Sequence, residues 1–506
     1  MPHAVDFSPH LALFGTASDV GKSLLSAAVG RLLRNSGWSV APFKAQNMSN
    51  NASIAFDGGE IGRAQYLQAI ACGVPPSVHH NPVLLKPASD DRSQVVVRGE
   101  ARHHTSAAEY FSRPTDLRDV AFDSLRQLMR QYQVVVIEGA GSCAEVNLRD
   151  REFVNFPAAH QANARVVLIA DIDRGGVFAQ VVGSLEVMLP QDRERVGGVI
   201  INKFRGDQRL FDDGVRFLER RTKVPVLGVI PFRYGLDLDS EDAVPISARV
   251  DPPVDADLDQ VRVAVVCLPH ISNFTDFDAL ARVEGVAVHY LYRPRDLGSY
   301  SAVVLPGSKS VIADLNWLKQ TGMAERLLNY RAAGGKLLGI CGGFQMLGDT
   351  LIDEAAIESP HRTSAGLGLL RATTRWSTEK VARRVDCRTL LEGIPLHGYE
   401  IHSGRTEVIG HSPLLSLSVR THDSAEQLDG VRSETLWATY LHGLFDEPGF
   451  RRLFLEWIAP KAEVHDDGHS RQVWLDEELD RFAEHVRRHL DWPCIEGWVR
   501  EALERT

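Results

Sequence analysis

Two hydrophobic patterns alternate along the first half of the chain. Residues 11–14, 38–43, 134–137, 166–170, 198–202 and 224–230 are short, continuous, β-branched runs. Continuous rather than alternating apolar runs predict strands buried on both faces. Between them the spacing turns helical, as over 24–33, so the expectation is an N-terminal α/β domain built on a doubly wound parallel sheet. The pattern fails over 245–260, which is rich in proline and aspartate and has little to pack. A second strand–helix series follows, with runs at 261–268, 302–305, 336–340 and 436–441. Farther on, Leu475, Leu479, Phe482, Val486 and Leu490 form one stripe of an amphipathic helix, which is expected to pack on the second domain. The organisation read from this is a first domain over 1–245, a linker over 246–260, a second α/β domain over 261–450 and a helical C-terminal extension over 451–506.

Composition narrows the functional classes. A chain of 506 residues exceeds one core, and 44% hydrophobic with 24% charged residues is ordinary globular usage. The net charge of −10 is spread without a basic block, which argues against nucleic acid as a partner. The six cysteines lie far apart with no C-x-x-C pair, so a reducing cytosol is expected and a zinc or disulfide framework is not. No basic segment followed by an apolar core opens the chain, and no apolar run approaches membrane-span length. His79-His80 and His103-His104 lack the i, i+4 spacing of helical metal ligands.

The densest chemical signal is Gly339-Ile340-Cys341-Gly342-Gly343-Phe344, directly after an apolar run. A G-x-C-x-G turn between strand and helix is a nucleophile elbow with cysteine in place of serine. The sharp turn exposes the sulfur, and the following helix N-terminus favours a thiolate. A buried structural cysteine is the alternative, and the glycines on both flanks weigh against it.

A phosphate loop stands near the N-terminus. The run 11–14 is followed by Gly15-Thr16-Ala17-Ser18-Asp19-Val20-Gly21-Lys22-Ser23 and then by a helical segment. Backbone N–H groups of such a loop cradle phosphate, Lys22 neutralises β/γ charge and Ser23 can ligate Mg²⁺. Five residues rather than four separate Gly15 from Gly21. Glu138, at the end of the run 134–137, lies where open α/β sheets bind ligands and could hold the metal; an ordinary strand-end turn is the alternative. Asn202 ends another run and is a candidate nucleotide contact. Lys44 could meet a substrate carboxylate or phosphate, or be a solvated lysine.

Together these blocks carry a family resemblance. The loop, Glu138-Gly139-Ala140-Gly141 and Asn202-Lys203 resemble the dethiobiotin-synthetase-like branch of P-loop proteins, and the Cys341 elbow resembles class I (triad) glutamine amidotransferases of flavodoxin-like fold. Both on one chain resemble the cobyric acid synthase and cobyrinic acid a,c-diamide synthase group. The cobyric-type branch is favoured by Phe43-Lys44-Ala45-Gln46-Asn47-Met48-Ser49-Asn50-Asn51, Ser93-Gln94-Val95-Val96-Val97 and Asp173-Arg174-Gly175-Gly176-Val177-Phe178. His397-Gly398-Tyr399-Glu400-Ile401-His402 and Tyr440-Leu441-His442-Gly443-Leu444-Phe445 point the same way. The resemblance implies amidation of the b, d, e and g carboxylates of adenosylcobyrinic acid a,c-diamide, with ATP and L-glutamine as co-substrates, Mg²⁺ accompanying ATP and no tightly bound organic cofactor. Cys341 would attack glutamine with His442 as base, and the backbone at Gly307 and Gly342 would hold the oxyanion. Gly15, Thr16, Asp19, Val20, Gly21, Lys22, Ser23 and Asn202 would bind the nucleotide, Ser23 and Glu138 the metal, and Lys44 and His402 the substrate. One position departs: triad amidotransferases carry glutamate two residues after the histidine, and here that residue is Leu444. The acid that would orient His442 is therefore unidentified: either the site works as a dyad or a distant carboxylate substitutes, with Glu400 and His402 as fallback candidates. The rival readings are an a,c-diamide synthase, a partitioning-type ATPase switch, which would carry a second lysine within residues 15–20 where there is none, and a non-catalytic scaffold with relic sites, against which intact Lys22 and Cys341 weigh.

Overall fold

The computed structural model describes residues 6–89, 92–106, 114–236, 238, 251, 253, 256–359, 362–418 and 427–505. About half of the linker expected over 246–260 lies outside them. The chain divides into two compact units, one of residues 1–241 with 475–506 and the other of 242–474.

The first unit is built on parallel strands β1 (Leu11–Gly15), β2 (Val40–Phe43), β3 (Val134–Glu138), β4 (Arg165–Asp171), β5 (Val196–Phe204) and β6 (Val226–Pro231), in the order β6-β5-β4-β1-β3-β2. Successive residues face opposite layers, which is why these runs read as continuously apolar. Leu11 and Leu13 pack with Leu25, Val29 and Leu33 of the helix Lys22–Asn35, whereas Ala12 and Phe14 join Ala121 and Leu125 of the helix Pro114–Gln131 on the other side. β1 lies between β3 and β4, so the chain reverses its direction of winding there and opens a crevice at the carboxyl end of β1. Between β2 and β3 the chain makes a smaller sheet, Gln46–Met48, Val83–Ser89, Arg92–Val97 and Glu100–Ser106, that the hydrophobic pattern did not announce.

The C-terminal stripe is buried as expected, but its partner is different. Phe482, Val486, Leu490, Ile495 and Val499 complete the first unit's apolar layer beside Leu11, Val167 and Leu227, not the second domain's core. Leu490 bridges Gly228, where an added Cβ would lie 2.2 Å from the His489 carbonyl oxygen. Buried Arg31 secures the same helix: its Nε and Nη2 donate to both oxygens of Asp480 at 2.7 and 2.8 Å, and Nη1 donates to Asp476 at 3.0 Å.

The second unit holds a parallel sheet of β7 (Val261–Val266), β8 (Val286–Leu291), β9 (Ala302–Leu305), β10 (Leu337–Ile340), β11 (Val431–Arg432) and β12 (Leu436–Thr439), ordered β8-β7-β9-β10-β12-β11, with only the β11–β12 pair antiparallel. A separate sheet is dominated by the long hairpin Ala372–Thr389 and Pro395–Val408. No described helix is long and apolar enough to cross a membrane.

Candidate active site

In the first unit β1 runs into the loop 15–21, and the helix Lys22–Asn35 begins as the loop ends. Gly21 sits at φ 94°, and a Cβ there would lie 2.3 Å from the Asn202 amide, which itself donates to the Val20 carbonyl at 2.8 Å. Only glycine allows this closeness, so Asn202 shapes the loop from below. Lys22 is buried and lays its ammonium across the loop, 3.2 Å from the Ala17 carbonyl and 3.1 Å from that of Gly141. Thr16 donates its hydroxyl to Gln180 at 3.2 Å, and the Asp19 carboxylate pairs with Arg174 at 3.1 Å.

Glu138 is fully buried at the end of β3. Its Oε1 accepts the Ser23 hydroxyl at 2.7 Å and the Lys44 ammonium at 2.9 Å, and its Oε2 accepts Gln65 at 3.2 Å and Gln68 at 2.6 Å. The two glutamines are one helical turn apart on Arg63–Cys72 and therefore share a face. Lys44 is thus neither solvated nor turned outward: it is Glu138's ion-pair partner. The pairing of Ser23 with Glu138 places a hydroxyl and a carboxylate oxygen side by side at the loop, the hard donors that suit Mg²⁺. A cavity of about 280 Å³ adjoins the loop, lined in part by Ser18, Gln46, Gly141, Ser142, Arg149 and Arg151.

In the second unit Cys341 joins β10 to the short helix Gly342–Leu347 at φ 51° and ψ −106°, a strained conformation for a residue with a side chain. The strain is held by packing: a Cβ on Gly343 would meet the Leu305 carbonyl oxygen at 2.0 Å, and the Cys341 N–H donates to Thr439 at 2.9 Å. The thiol donates to the Ile401 carbonyl at 3.5 Å, and Cys341 is among the groups that raise the His442 pKa. A Cβ on Gly342 would sit 2.7 Å from the Ser308 backbone nitrogen, so the Gly342 and Ser308 main chains lie against each other.

His442 follows β12 and is fixed from three sides. Its main chain exchanges hydrogen bonds with Tyr399, whose ring stacks on the imidazole at 5.2 Å. Its Nδ1 donates to Asp276 Oδ2 at 2.7 Å, while Asp276 Oδ1 accepts the Gly443 N–H at 3.2 Å. Its Nε2 lies 3.2 Å from the Asn273 side-chain amide. Burial alone would lower the pKa of His442; the charge and hydrogen bond of Asp276, reinforced by Cys341, outweigh it and lift the imidazolium to about 10. The acid missing from the sequence reading is therefore Asp276, in the turn Phe274–Phe277 and 166 residues before His442.

Neither fallback partner reaches His442. Glu400 accepts Arg383 at 2.6 Å and stands 3.8 Å from His402. Burial pushes the Glu400 carboxyl up, but His402 and Arg383 more than offset it and hold it below the usual range. His402 lies in the strand Pro395–Val408 rather than a loop, stacks on Tyr440 at 3.9 Å and donates Nδ1 to Gly404 at 2.7 Å. Both residues line a cavity of about 490 Å³ beside the elbow, together with Phe344, Arg383, Asp429 and Tyr440. Burial and the nearby Glu400 charge push the Asp429 carboxyl up to about 6.

These two sites match two known domain families. Residues 11–246 match the CobQ/CobB/MinD/ParA nucleotide binding domain, and 262–450 match the CobB/CobQ-like glutamine amidotransferase domain. Along almost the whole chain, a cobyric acid synthase of Chlorobium phaeobacteroides (strain BS1) is 50% identical over 499 residues, covering 98% of this chain and 99% of that protein. The chain belongs to the cobyric acid synthase family. Other cobyric acid synthases agree: that of Chlorobaculum tepidum is 46% identical and that of Salmonella enteritidis PT4 42%, each covering 95% of this chain and 96% of its own length. As a cobyric acid synthase family member it is a nucleotide-binding ligase of the glutamine amidotransferase type, acting in the ATP- and glutamine-dependent amidation of cobalamin biosynthesis.

Proposed function

We propose that this chain converts adenosylcobyrinic acid a,c-diamide to cobyric acid by amidating its b, d, e and g propionates, one ATP being consumed for each. The observation that carries this reading is identity over nearly the full length to cobyric acid synthases, with a phosphate loop and a cysteine–histidine–aspartate line on the same chain.

In the second unit, glutamine enters the cavity beside the elbow, where Arg383 and Glu400 offer opposite charges to its α-carboxylate and α-ammonium groups. The His442 imidazolium pairs with Cys341 as the thiolate, and the sulfur adds to the glutamine side-chain carbonyl carbon. The main chain at Gly307, Ser308 and Gly342 stabilises the oxyanion. As the carbonyl re-forms, the C–N bond breaks and His442 returns its proton to the departing ammonia, leaving a thioester. Water then adds and gives a proton to His442, glutamate is released, and the thiolate–imidazolium pair is restored. Asp276 fixes the His442 ring through Nδ1 and stabilises its imidazolium form.

In the first unit, a propionate oxygen attacks the γ-phosphorus of ATP, ADP departs and an acyl phosphate forms. Ammonia then displaces phosphate from the acyl carbon. Activation is needed because a carboxylate alone has no usable leaving group. The loop 15–21 and Lys22 hold the polyphosphate, with Thr16, Asp19 and Asn202 shaping the loop. Ser23 and Glu138 would hold Mg²⁺, which supplies charge neutralisation to the triphosphate when bound. Lys44, the ion-pair partner of Glu138 at 2.9 Å, would meet the acceptor carboxylate. A cytoplasmic setting fits an ATP-consuming reaction that depends on a free thiol.

Mass spectrometry over a time course with ATP, glutamine and the corrinoid a,c-diamide tests the assignment. Four successive amidations ending at the hexa-amide are expected, with partly amidated species free in solution. An inert diamide, with cobyrinic acid taken only as far as the diamide, would establish the a,c-diamide synthase reading instead.

A further inference from the structure

Asp314 plays no part in the chemistry above, yet it is fully buried in the first turn of the helix Val311–Thr321. A buried carboxylate is costly unless its lone pairs are used, and here they are. Oδ2 accepts the Ser308 hydroxyl at 2.6 Å, Oδ1 meets His270 Nδ1 at 2.7 Å, and both oxygens lie 3.3 Å from the His270 N–H.

The two residues it holds belong to different loops. Ser308 lies after β9, in the loop whose main chain packs on Gly342 beside the nucleophile. His270 lies after β7, in the loop that goes on to Asn273 and Asp276, both of which contact His442. Two main-chain bonds stitch these loops together, Ser272 N–H to Gly307 O and Lys309 N–H to His270 O, each 2.9 Å. The Ser308 hydroxyl also accepts the Ser310 N–H at 3.0 Å, which fixes the turn into the helix. Three donors converging on one side chain require two acceptor oxygens; an amide of the same shape offers only one.

We propose that Asp314 is a positioning residue for glutamine hydrolysis, acting through Ser308 on the oxyanion-binding main chain and through His270 on the loop that carries Asp276. The proposal rests on Cys341 being the glutaminase nucleophile. Donors aimed at a developing oxyanion act on the transition state rather than on ground-state binding, and sub-ångström displacement of them is enough to slow the reaction.

The test is Asp314→Asn in the full-length protein, assayed for glutamine hydrolysis and for ammonium-supported synthesis. The expected result is a kcat for glutamine hydrolysis about tenfold or more below wild type, a KM within about twofold, and unchanged synthesis from ammonium. Ser308→Ala, which deletes the hydroxyl but leaves Asp314 paired with His270, should lower kcat in the same sense by a smaller factor. A wild-type kcat in Asp314→Asn, or a raised KM at constant kcat, overturns the proposal. Should Asp314→Asn lose ammonium-supported synthesis as well, Ser308→Ala decides, and an unchanged kcat there overturns it. A Cys341→Ala protein that still hydrolyses glutamine would refute the nucleophile assignment instead.

Discussion

At the carboxyl end of β3 polar groups form a ring around one carboxylate: Glu138 is gripped by Ser23, Lys44, Gln65 and Gln68. At the carboxyl end of β10 they form a line, running from Cys341 through His442 to Asp276. A ring of satisfied partners suits a site that must match and reorganise around a polyanion, because its members can be exchanged one for another. A line suits a proton that must travel one way and return. On the proposed mechanism, the chemistry that needs a nucleophile made by the protein is assembled in advance, whereas the chemistry in which substrates supply both nucleophile and electrophile depends on placement.

Substitutions should separate the two arrangements. The largest loss is expected from Lys22→Ala, which should remove amide formation with either nitrogen donor by about 10³-fold or more, since free ammonia cannot bypass carboxylate activation. Retained synthesis from ammonium would exclude the phosphate-loop role of Lys22. Cys341→Ala should abolish only the glutamine-supported reaction; equal loss with both donors in a folded protein would mean that the line also serves the acceptor.

Asp276→Asn is expected to slow glutamine hydrolysis by about 10²- to 10⁴-fold, by analogy with the orienting acid of serine triads. It should also bring the His442 titration down from about 10 toward the ordinary value, as followed by NMR of labelled histidine. The sign for stability follows. A group whose pKa is raised on folding stabilises fully below its unfolded value near 6.5, and that stabilisation fades as pH rises through about 10. The wild type should therefore exceed Asp276→Asn in denaturant midpoint by more at pH 6 than at pH 10.5. His442→Ala should damage glutamine hydrolysis at least as much as His402→Ala, and the reverse order would exchange their roles.

The smallest effect is expected from Arg31→Met. Its carboxylate partners are about half exposed and can be rehydrated, so a loss of about 1–3 kcal/mol in the first unit is expected. Its readout sharpens the contrast: ammonium-supported synthesis should become heat-sensitive while glutamine hydrolysis holds.

Legibility in the sequence followed the range of the interaction. Strands such as β1 and β9 were readable because a strand buried on both faces is apolar at every position. The phosphate loop and the elbow were readable because each is a contiguous turn with its own backbone demands. Asp276 was not: it reaches His442 from a four-residue turn across the sheet, and nothing in Phe274-Thr275-Asp276-Phe277 distinguishes it from a surface turn. The vacated family position, Leu444, is simply buried core. The long hairpin escaped notice because charges such as Glu379, Lys380, Arg383 and Arg384 interrupt its alternation. The C-terminal stripe showed which face of its helix is buried, but a stripe carries no address for the surface that buries it.

That address has a consequence for the order in which the protein is made. The apolar layer behind the helix Lys22–Asn35 is completed by residues after 475, which leave the ribosome only once the whole amidotransferase unit has been synthesised. The unit begun first is thus finished last. Until then Leu11, Val29 and Leu227 keep an uncovered flank, the kind of surface that invites misassembly or chaperone attention in a growing chain. A premature stop late in the message would therefore spare the glutamine-hydrolysing half and leave the ATP-binding half, encoded hundreds of codons upstream, unable to close its own core.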